Sequence, residues 1–340
     1  MDDFLGLLTR DHLSPELVSA PSFRRLRRLA RELPPVSFGG LECRLGSENQ
    51  QVDLHLGLRR AKISLPSSYL EHAAWRLLQE IVDAWVDPVS PLRDCLQGIF
   101  VSVDISEDGE LPTAPSLYLQ LSGGPKDDVT VLRCLDNQLQ AVGDCERALD
   151  VLHRWMDSFF PGASLMELGV MTGRPGSVIR AQLFGMTSST IRDFLRKTPS
   201  LFDVDSQLLE AADDVDRTAI LVDVAGHQQP EVGIEFYIDA QPPVEDRWSK
   251  LLDDLVRAGA CTAKERQALL RWPGARQQMP GDSGWPAVLT LGDRLLRERA
   301  VSLFWRRLSH IKLSPYSAHG VRAKAYLAFG HTWIPRHFFE

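Results

Sequence analysis

Apolar residues recur along this chain at two different periods, and the alternation between the periods predicts its elements. Helical spacing comes first. Segment 21–33 sets Phe23, Leu26, Leu29 and Leu33 at intervals of three and four with arginines between them. Segment 69–86 does the same through Tyr69, Ala73, Trp75, Leu78, Ile81 and Trp85, and segment 144–160 through Ala148, Leu152, Trp155 and Phe159. Segment 188–197 opens on Ser and Thr residues able to cap a helix. Segments 245–258 and 262–272 form a helix pair around Gly259, a residue suited to a helix C-terminus. Thr262 with Glu265 three positions on is a capping-box pattern, and Pro273 and Gly274 stop the second helix.

Between these helices the period drops to two, and the strands it predicts come in pairs. Segments 36–46 and 51–65 flank GSENQ; 97–106 and 115–121 flank EDGELPTAP; 165–172 and 177–185 flank TGRPG. Segments 217–225 and 231–239 flank GHQQP, and 303–314 and 321–330 flank SPYSAHG. Each linker holds the Gly, Pro, Asn or Ser that hairpin loops require. A short additional strand is expected near 129–134. The Pro- and Gly-rich stretch 273–292 reads as a long irregular loop. Because the strand pattern resumes in kind after it, residues 1–340 read as a single α+β domain.

Within the strands the two faces differ in character. Val52, Leu54, Leu56 and Leu58 oppose Asp53, His55, Gly57 and Arg59. Ile99, Val101, Val103 and Ile105 oppose Phe100, Ser102 and Asp104; Leu117, Leu119 and Leu121 oppose Ser116, Tyr118 and Gln120. Arg180 and Gln182 share a face, as do Glu235 with Tyr237 and His310 with Lys312. Arg322, Lys324 and Tyr326 oppose Ala323, Ala325, Leu327 and Phe329. The fold class is therefore α+β: a large antiparallel sheet of about five hairpins, with helices covering its apolar face. The polar face has two fates. In an open sheet it meets water; in a closed barrel it lines a lumen that about ten strands would leave partly empty.

Charge and composition narrow the functions. The 45 acidic residues exceed the 38 basic ones, giving a net charge of −7, and the two signs are interspersed. This is not the basic footprint that nucleic-acid backbones demand. The five cysteines form no CxxC pair and read as reduced thiols. The N-terminus MDDFLGLLTRDHLSPELVS carries acids at once and is unlike a signal peptide, and no apolar run reaches bilayer length, so a cytoplasmic protein without membrane contact is expected. No GxSxG, P-loop or HExxH motif occurs, and TGRPG reads as a turn. The acids Glu210, Asp213, Asp214 and Asp216 read as a solvated loop, the dispersed histidines as structural or surface residues, and the helical tryptophans as core.

The repeated order helix–strand–strand–helix, with the tail IKLSPYSAHGVRAKAYLAF, resembles the ABBA prenyltransferases. That resemblance implies a closed barrel, diphosphate contacts from Arg44, Arg180, Lys312 and Lys324, and a shield for an allyl cation from Tyr118, Tyr237 and Tyr326. The acids Asp53, Asp104 and Glu235 on the same face would repel a diphosphate unless a divalent ion intervened, so Mg²⁺ is expected only with this reading and no cofactor otherwise. The phrases RWSKLLDDLVRAGACTAKERQALLRWPG and SHIKLSPYSAHGVRAKAYLAFGHTW resemble accessory proteins of bacterial peptide natural-product (RiPP) biosynthesis, the crocagin peptide-binding proteins among them. That resemblance implies a peptide or small-molecule ligand and biosynthetic partner enzymes. On either reading the ligand meets the polar face: Arg44, Asp53, Tyr118, Arg180, Gln182 and Glu235, then Tyr237, His310, Lys312, Lys324 and Tyr326. Peptide binding is the leading expectation, and prenyl transfer to an aromatic or peptide substrate the alternative.

Overall fold

The computed structural model describes residues 1–8, 13–33, 36, 38–46, 51–105, 114–122, 151–152, 154, 163–172, 178–197, 213–225, 231–278, 284–296, 299–316 and 320–335. The predicted strand near 129–134, most of the helix 144–160, Cys134, Cys145, Glu210 and His319 lie outside them.

All five predicted hairpins form. They comprise β1 (Phe38–Arg44) with β2 (Val52–Leu58), β3 (Leu96–Val103) with β4 (Ser116–Leu121), and β5 (Ser164–Met171) with β6 (Val178–Phe184). The last two are β7 (Arg217–Ala225) with β8 (Glu231–Tyr237), and β10 (Ala300–Tyr316) with β11 (Gly320–Pro335). Neighbouring hairpins pair in turn and antiparallel, β8 pairs with β10, and β11 returns to β1, so ten strands close on themselves. The barrel, not the open sheet, is the outcome. An eleventh strand, β9 (Gly274–Gln277), adds to the first half of β10 outside the ring.

Closure separates the two faces completely. Leu54, Leu56, Val101, Leu119, Ile179 and Ile234 point outward and are at most 2% exposed beneath the helices. Each such side chain contributes about 1.5–3 kcal/mol by leaving water. The covering helices present matching stripes. Helix α2 (Ala20–Glu32) is capped by Ser19, which accepts from Ser22 N at 3.2 Å, and buries Leu26, Leu29 and Ala30. The predicted helix 69–86 is broken in two, as α3 (Ser67–Leu70) and α4 (Ala73–Val86), because His72 is extended and Tyr69 turns edge-on to Trp75 at 4.7 Å. A single turn, α5 (Leu92–Cys95), leads into β3, and α6 (Ser188–Lys197) follows β6. Helices α7 (Asp246–Arg257) and α8 (Ala263–Arg271) are the expected pair, with Gly259 at φ 71° and the Thr262–Glu265 capping box formed. Glu265 also accepts from Gly46 N at 3.1 Å, which ties the helix pair to the end of β1.

Segment 273–292 is not the irregular loop expected. Gly274–Gln277 pairs with Leu303–Arg306 as β9, and a helix, α9 (Ala287–Leu296), begins inside the segment. The Pro and Gly residues punctuate short elements here and do not prevent them. A further helix, α1 (Asp2–Leu7), buries Leu5 and Leu7. Among the described residues no helix is long and apolar enough to cross a membrane.

Candidate functional site: the chamber in the barrel

Ten strands leave a void of about 490 Å³ in the lumen, within the usual range for small-ligand sites. Phe38, Phe100, Met166 and Phe184 give it apolar surface, with the exposed Arg217 over the Phe184 ring at 6.0 Å. Tyr237, His310, Gln182, Glu167, Tyr326, His55, Tyr118, Arg180 and Glu235 supply most of the rest of the wall. Tyr118, Met171 and Val178 form a separate apolar cluster inside the barrel with Phe100 against it.

Inward glycines make room for the large rings. A Cβ on Gly57 would stand 2.1 Å from the Phe38 ring, and one on Gly169 would stand 3.1 Å from the Tyr118 ring. Each glycine therefore seats an aromatic from the adjacent strand, and Phe38 meets Phe100 edge-on at 5.5 Å.

Three hydrogen-bonded groups organise the lumen. In the first, Arg180 donates to Asp223 in bidentate fashion, 2.6 Å on each arm, with Tyr118 OH 3.4 Å from its Nη1. In the second, Glu42 accepts from Lys324 Nζ and from Tyr326 OH at 2.7 Å, and lies 3.2 Å from His55 Nε2. In the third, Glu235 Oε2 accepts from Tyr237 OH and Gln182 Nε2, both at 2.6 Å, while its Oε1 is 3.6 Å from His310. The His310 ring is stacked between Tyr326, at 4.0 Å, and Tyr237, at 4.7 Å.

Charge partners and burial compete to set the ionisation. Burial works against ionised Glu42, yet Lys324 and then His55 hold it well below the ordinary carboxylate range. Burial opposes ionised Glu235 too, but His310, Lys312 and Tyr237 bring it to about 2. For Glu167 the compensation is too weak: burial and then the charge on Glu235 raise it to about 8 against the pull of Arg180 and Lys312. Burial, Glu42 and Asp104 raise Asp53 to about 7, and burial followed by Arg180 lowers Lys312 to about 8. Arg180 stays cationic because Asp223 outweighs its desolvation.

All eleven residues expected on the polar face do point into the barrel, but they divide. Tyr118, Arg180, Gln182, Glu235, Tyr237, His310 and Tyr326 line the chamber. Asp53, Lys312 and Lys324 do not line it, being packed into the opposite half of the lumen, where Arg44 is exposed beside Lys324 in the ladder. Sequence reasoning passed over Glu42, Glu167, Asp223, Phe38, Phe184, Arg217 and Ser309. Most stand at period-two positions of strands already identified, so the alternation contained them. Ser309 does not, because β10 shifts register between Leu308 and His310.

The acids set down as a solvated loop are more engaged than that. Asp213 pairs with Arg192, Asp214 with Lys250 and Asp216 with Arg247, which together fasten α6 and α7 to the start of β7. Among the described residues no group of three or more His, Cys, Asp or Glu side chains converges to hold a metal. Cys43, Cys95 and Cys261 are buried and form no disulfide. Trp75 and Trp85 are core, whereas Trp333 donates to Asp293 at 2.7 Å and His331 is buried against Ser302, both on the outer half of the last hairpin.

No protein-family model matches the chain, and no curated protein sequence matches it. Solved structures do. The chain is similar to a 6-dimethylallyl tryptophan synthase at 13% identity and TM-score 0.52, over 96% of this chain and 94% of that one. The 6-dimethylallyltryptophan synthase from Micromonospora olivasterospora, in complex with DMASPP and Trp, aligns at 14% identity and TM-score 0.51, over 97% and 95%. AnaPT from Neosartorya fischeri aligns at 13% and 0.51, over 95% and 90%. The fold is thus that of the ABBA prenyltransferases, a closed ten-stranded antiparallel barrel with its helices outside. None of these matches supports the resemblance to RiPP accessory proteins.

Proposed function

We propose that this protein is a prenyltransferase of the ABBA type, joining the prenyl group of an allylic diphosphate to an aromatic acceptor inside the barrel. One observation carries the reading: a chamber of about 490 Å³ closed by ten strands, whose wall holds Tyr118, Tyr237 and Tyr326. Ionisation of an allylic ester leaves a carbocation, which aromatic faces attract through their quadrupoles. The fold's relatives include synthases whose names specify dimethylallyl transfer to tryptophan.

The anion would meet the chamber's arginines. Arg180 is fixed by its buried bidentate pair with Asp223 and contributes field without changing partners. Arg217 is different. Its pair with Asp239 is about half exposed on both sides, so little free energy holds it and a diphosphate can displace the carboxylate. Lys312 and Lys324 add positive potential from the other half of the lumen and not direct contact. No divalent-ion step is assigned, since the described carboxylates do not converge on one point.

A second reading has its own observation. Each arginine on the chamber wall already has a carboxylate partner, which suits a chamber that binds an uncharged aromatic or peptide side chain without transfer. One experiment separates the two. Incubation with dimethylallyl diphosphate and tryptophan, tyrosine or short aromatic peptides, with and without Mg²⁺, is read by mass spectrometry for a prenylated acceptor. A prenylated product, with a raised KM for the diphosphate in Arg217→Gln, supports transfer. Calorimetric binding of the aromatic with no product from any allylic diphosphate supports the second reading and removes the first.

A further inference from the structure

Strand β10 contains the one irregularity in the β10–β11 ladder. Residues pair one-to-one up to Leu308 with Leu327, and the next pair is His310 with Tyr326, which leaves Ser309 as an extra residue. A bulge of this kind re-aims side chains and recurs beside active sites. Here Leu308 and Ile311 both point outward into the core, fully buried, while Ser309 and His310 both line the chamber. Regular alternation would have sent only one of the two inward.

The consequence is a connected set of three. Ser309 Oγ lies 3.0 Å from His310 Nδ1. His310 Nε2 lies 3.6 Å from Glu235 Oε1. Glu235 Oε2 is saturated by Tyr237 and Gln182 at 2.6 Å each, which leaves Oε1 for the imidazole. Stacked Tyr326 and Tyr237 hold the ring in plane. The charged and titratable groups against His310 are Glu235 and Tyr237 from β8 and Tyr326 from β11.

We infer that Ser309, His310 and Glu235 form a proton relay on the chamber wall, which takes the proton from an aromatic acceptor carrying an N–H or O–H group. The bond-forming step rests on the transferase reading. In it the ester C–O bond breaks and its electron pair leaves with diphosphate. The acceptor forms a new bond to the allylic carbon and gives up its proton to Ser309 Oγ. The proton of Ser309 passes to His310 Nδ1, and Glu235 stabilises the resulting imidazolium. Ser309 and His310 are then catalytic residues, and Glu235 a positioning residue. The substrate class narrows to indoles and phenols, and excludes arenes with no ionisable hydrogen.

Two measurements on the full chain test this. In the first, prenyl transfer to indole or phenol acceptors is followed across pH 5–9 for wild type, Ser309→Ala and His310→Gln. General-base catalysis is worth about 10²–10⁴-fold, so His310→Gln is expected to lose at least about 100-fold in kcat and the acidic limb of the pH profile, with KM for the diphosphate unchanged. Ser309→Ala is expected to fall between. Rates within twofold of wild type with an unaltered profile overturn the relay and leave the transferase reading standing. In the second, the imidazole of His310 is titrated by NMR with indole or with N-methylindole, and needs no transfer. Indole is expected to shift the titration and N-methylindole to leave it in place. Equal responses to both overturn the relay. A shift with indole but no transfer by wild type retains the relay and discards the transferase.

Discussion

The two halves of the barrel lumen are built from the same strands and reach opposite results. In one half, Tyr118, Tyr237, Tyr326, His310 and the phenylalanines surround open space. In the other, Glu42 and Lys324 close on each other, as Arg180 does with Asp223 on the chamber wall itself. Arg180 and Asp223 are left with 8% and 11% side-chain exposure. The difference lies in what stands opposite each inward residue. Where an aromatic faces a glycine, as Phe38 faces Gly57, the ring lies flat and a cavity remains. Where a cation faces a carboxylate, the pair collapses and fills the gap. One half of the lumen is thus available to a ligand, while the other holds the ring of strands together by charge.

That comparison predicts a graded set of effects, measured by chemical denaturation. The largest belongs to the buried ion pairs. Arg180→Met leaves Asp223 buried without its cation and is expected to cost about 3–5 kcal/mol, whereas Arg180→Met with Asp223→Leu should recover most of the loss. Equal losses in the single and double variants would contradict charge pairing as the reason these two side chains fill the lumen. Next, Tyr326→Phe removes a 2.7 Å donor to Glu42 and should cost about 2 kcal/mol. Tyr237→Phe, which likewise removes a donor to a buried carboxylate, should cost a comparable amount.

The pH dependence separates the buried carboxylates by sign. The folded pKa of Glu42 lies below its ordinary value, so the stability it contributes is present above the ordinary carboxylate range and is lost as pH falls through the lowered value. Glu167 is raised to about 8, so the folded state keeps its proton; that contribution is full below the ordinary carboxylate range and is lost as pH rises toward 8. Asp53, raised to about 7, acts in the same direction as Glu167. Wild-type stability should therefore decline between pH 5 and pH 8, and Glu167→Gln should recover on the order of 1 kcal/mol at pH 8, a value discounted for the solvent the chamber admits. An unchanged slope in that variant would show Glu167 ionised and solvated. The smallest effect is at the chamber's exposed end, where Asp239→Asn breaks only the exposed pair with Arg217 and should change stability by less than about 0.5 kcal/mol.

Most of the scaffold was legible in the chain. Period-two alternation located all five hairpins and told inward from outward residues, because a strand's pleat forces neighbours to opposite faces whatever surrounds it. The Thr262–Glu265 box and Gly259 marked the α7–α8 junction through strictly local hydrogen bonding and backbone freedom. The same local rules misread 273–292, since the four residues of β9 become a strand only through pairing with β10. They also could not separate Asp53, Lys312 and Lys324 from the chamber wall, because a shared face says nothing of depth along a barrel.

The sequence by itself determined which side chains point to the same side of the sheet, since that follows from backbone geometry within a few residues. Only the tertiary structure decided that the sheet closes, that Arg180 meets Asp223 and Lys324 meets Glu42, and that a bulge turns Ser309 and His310 to one wall. Those outcomes depend on pairing between residues tens to hundreds of positions apart. Nothing in the local pattern of a chain encodes which distant strand will supply the missing charge.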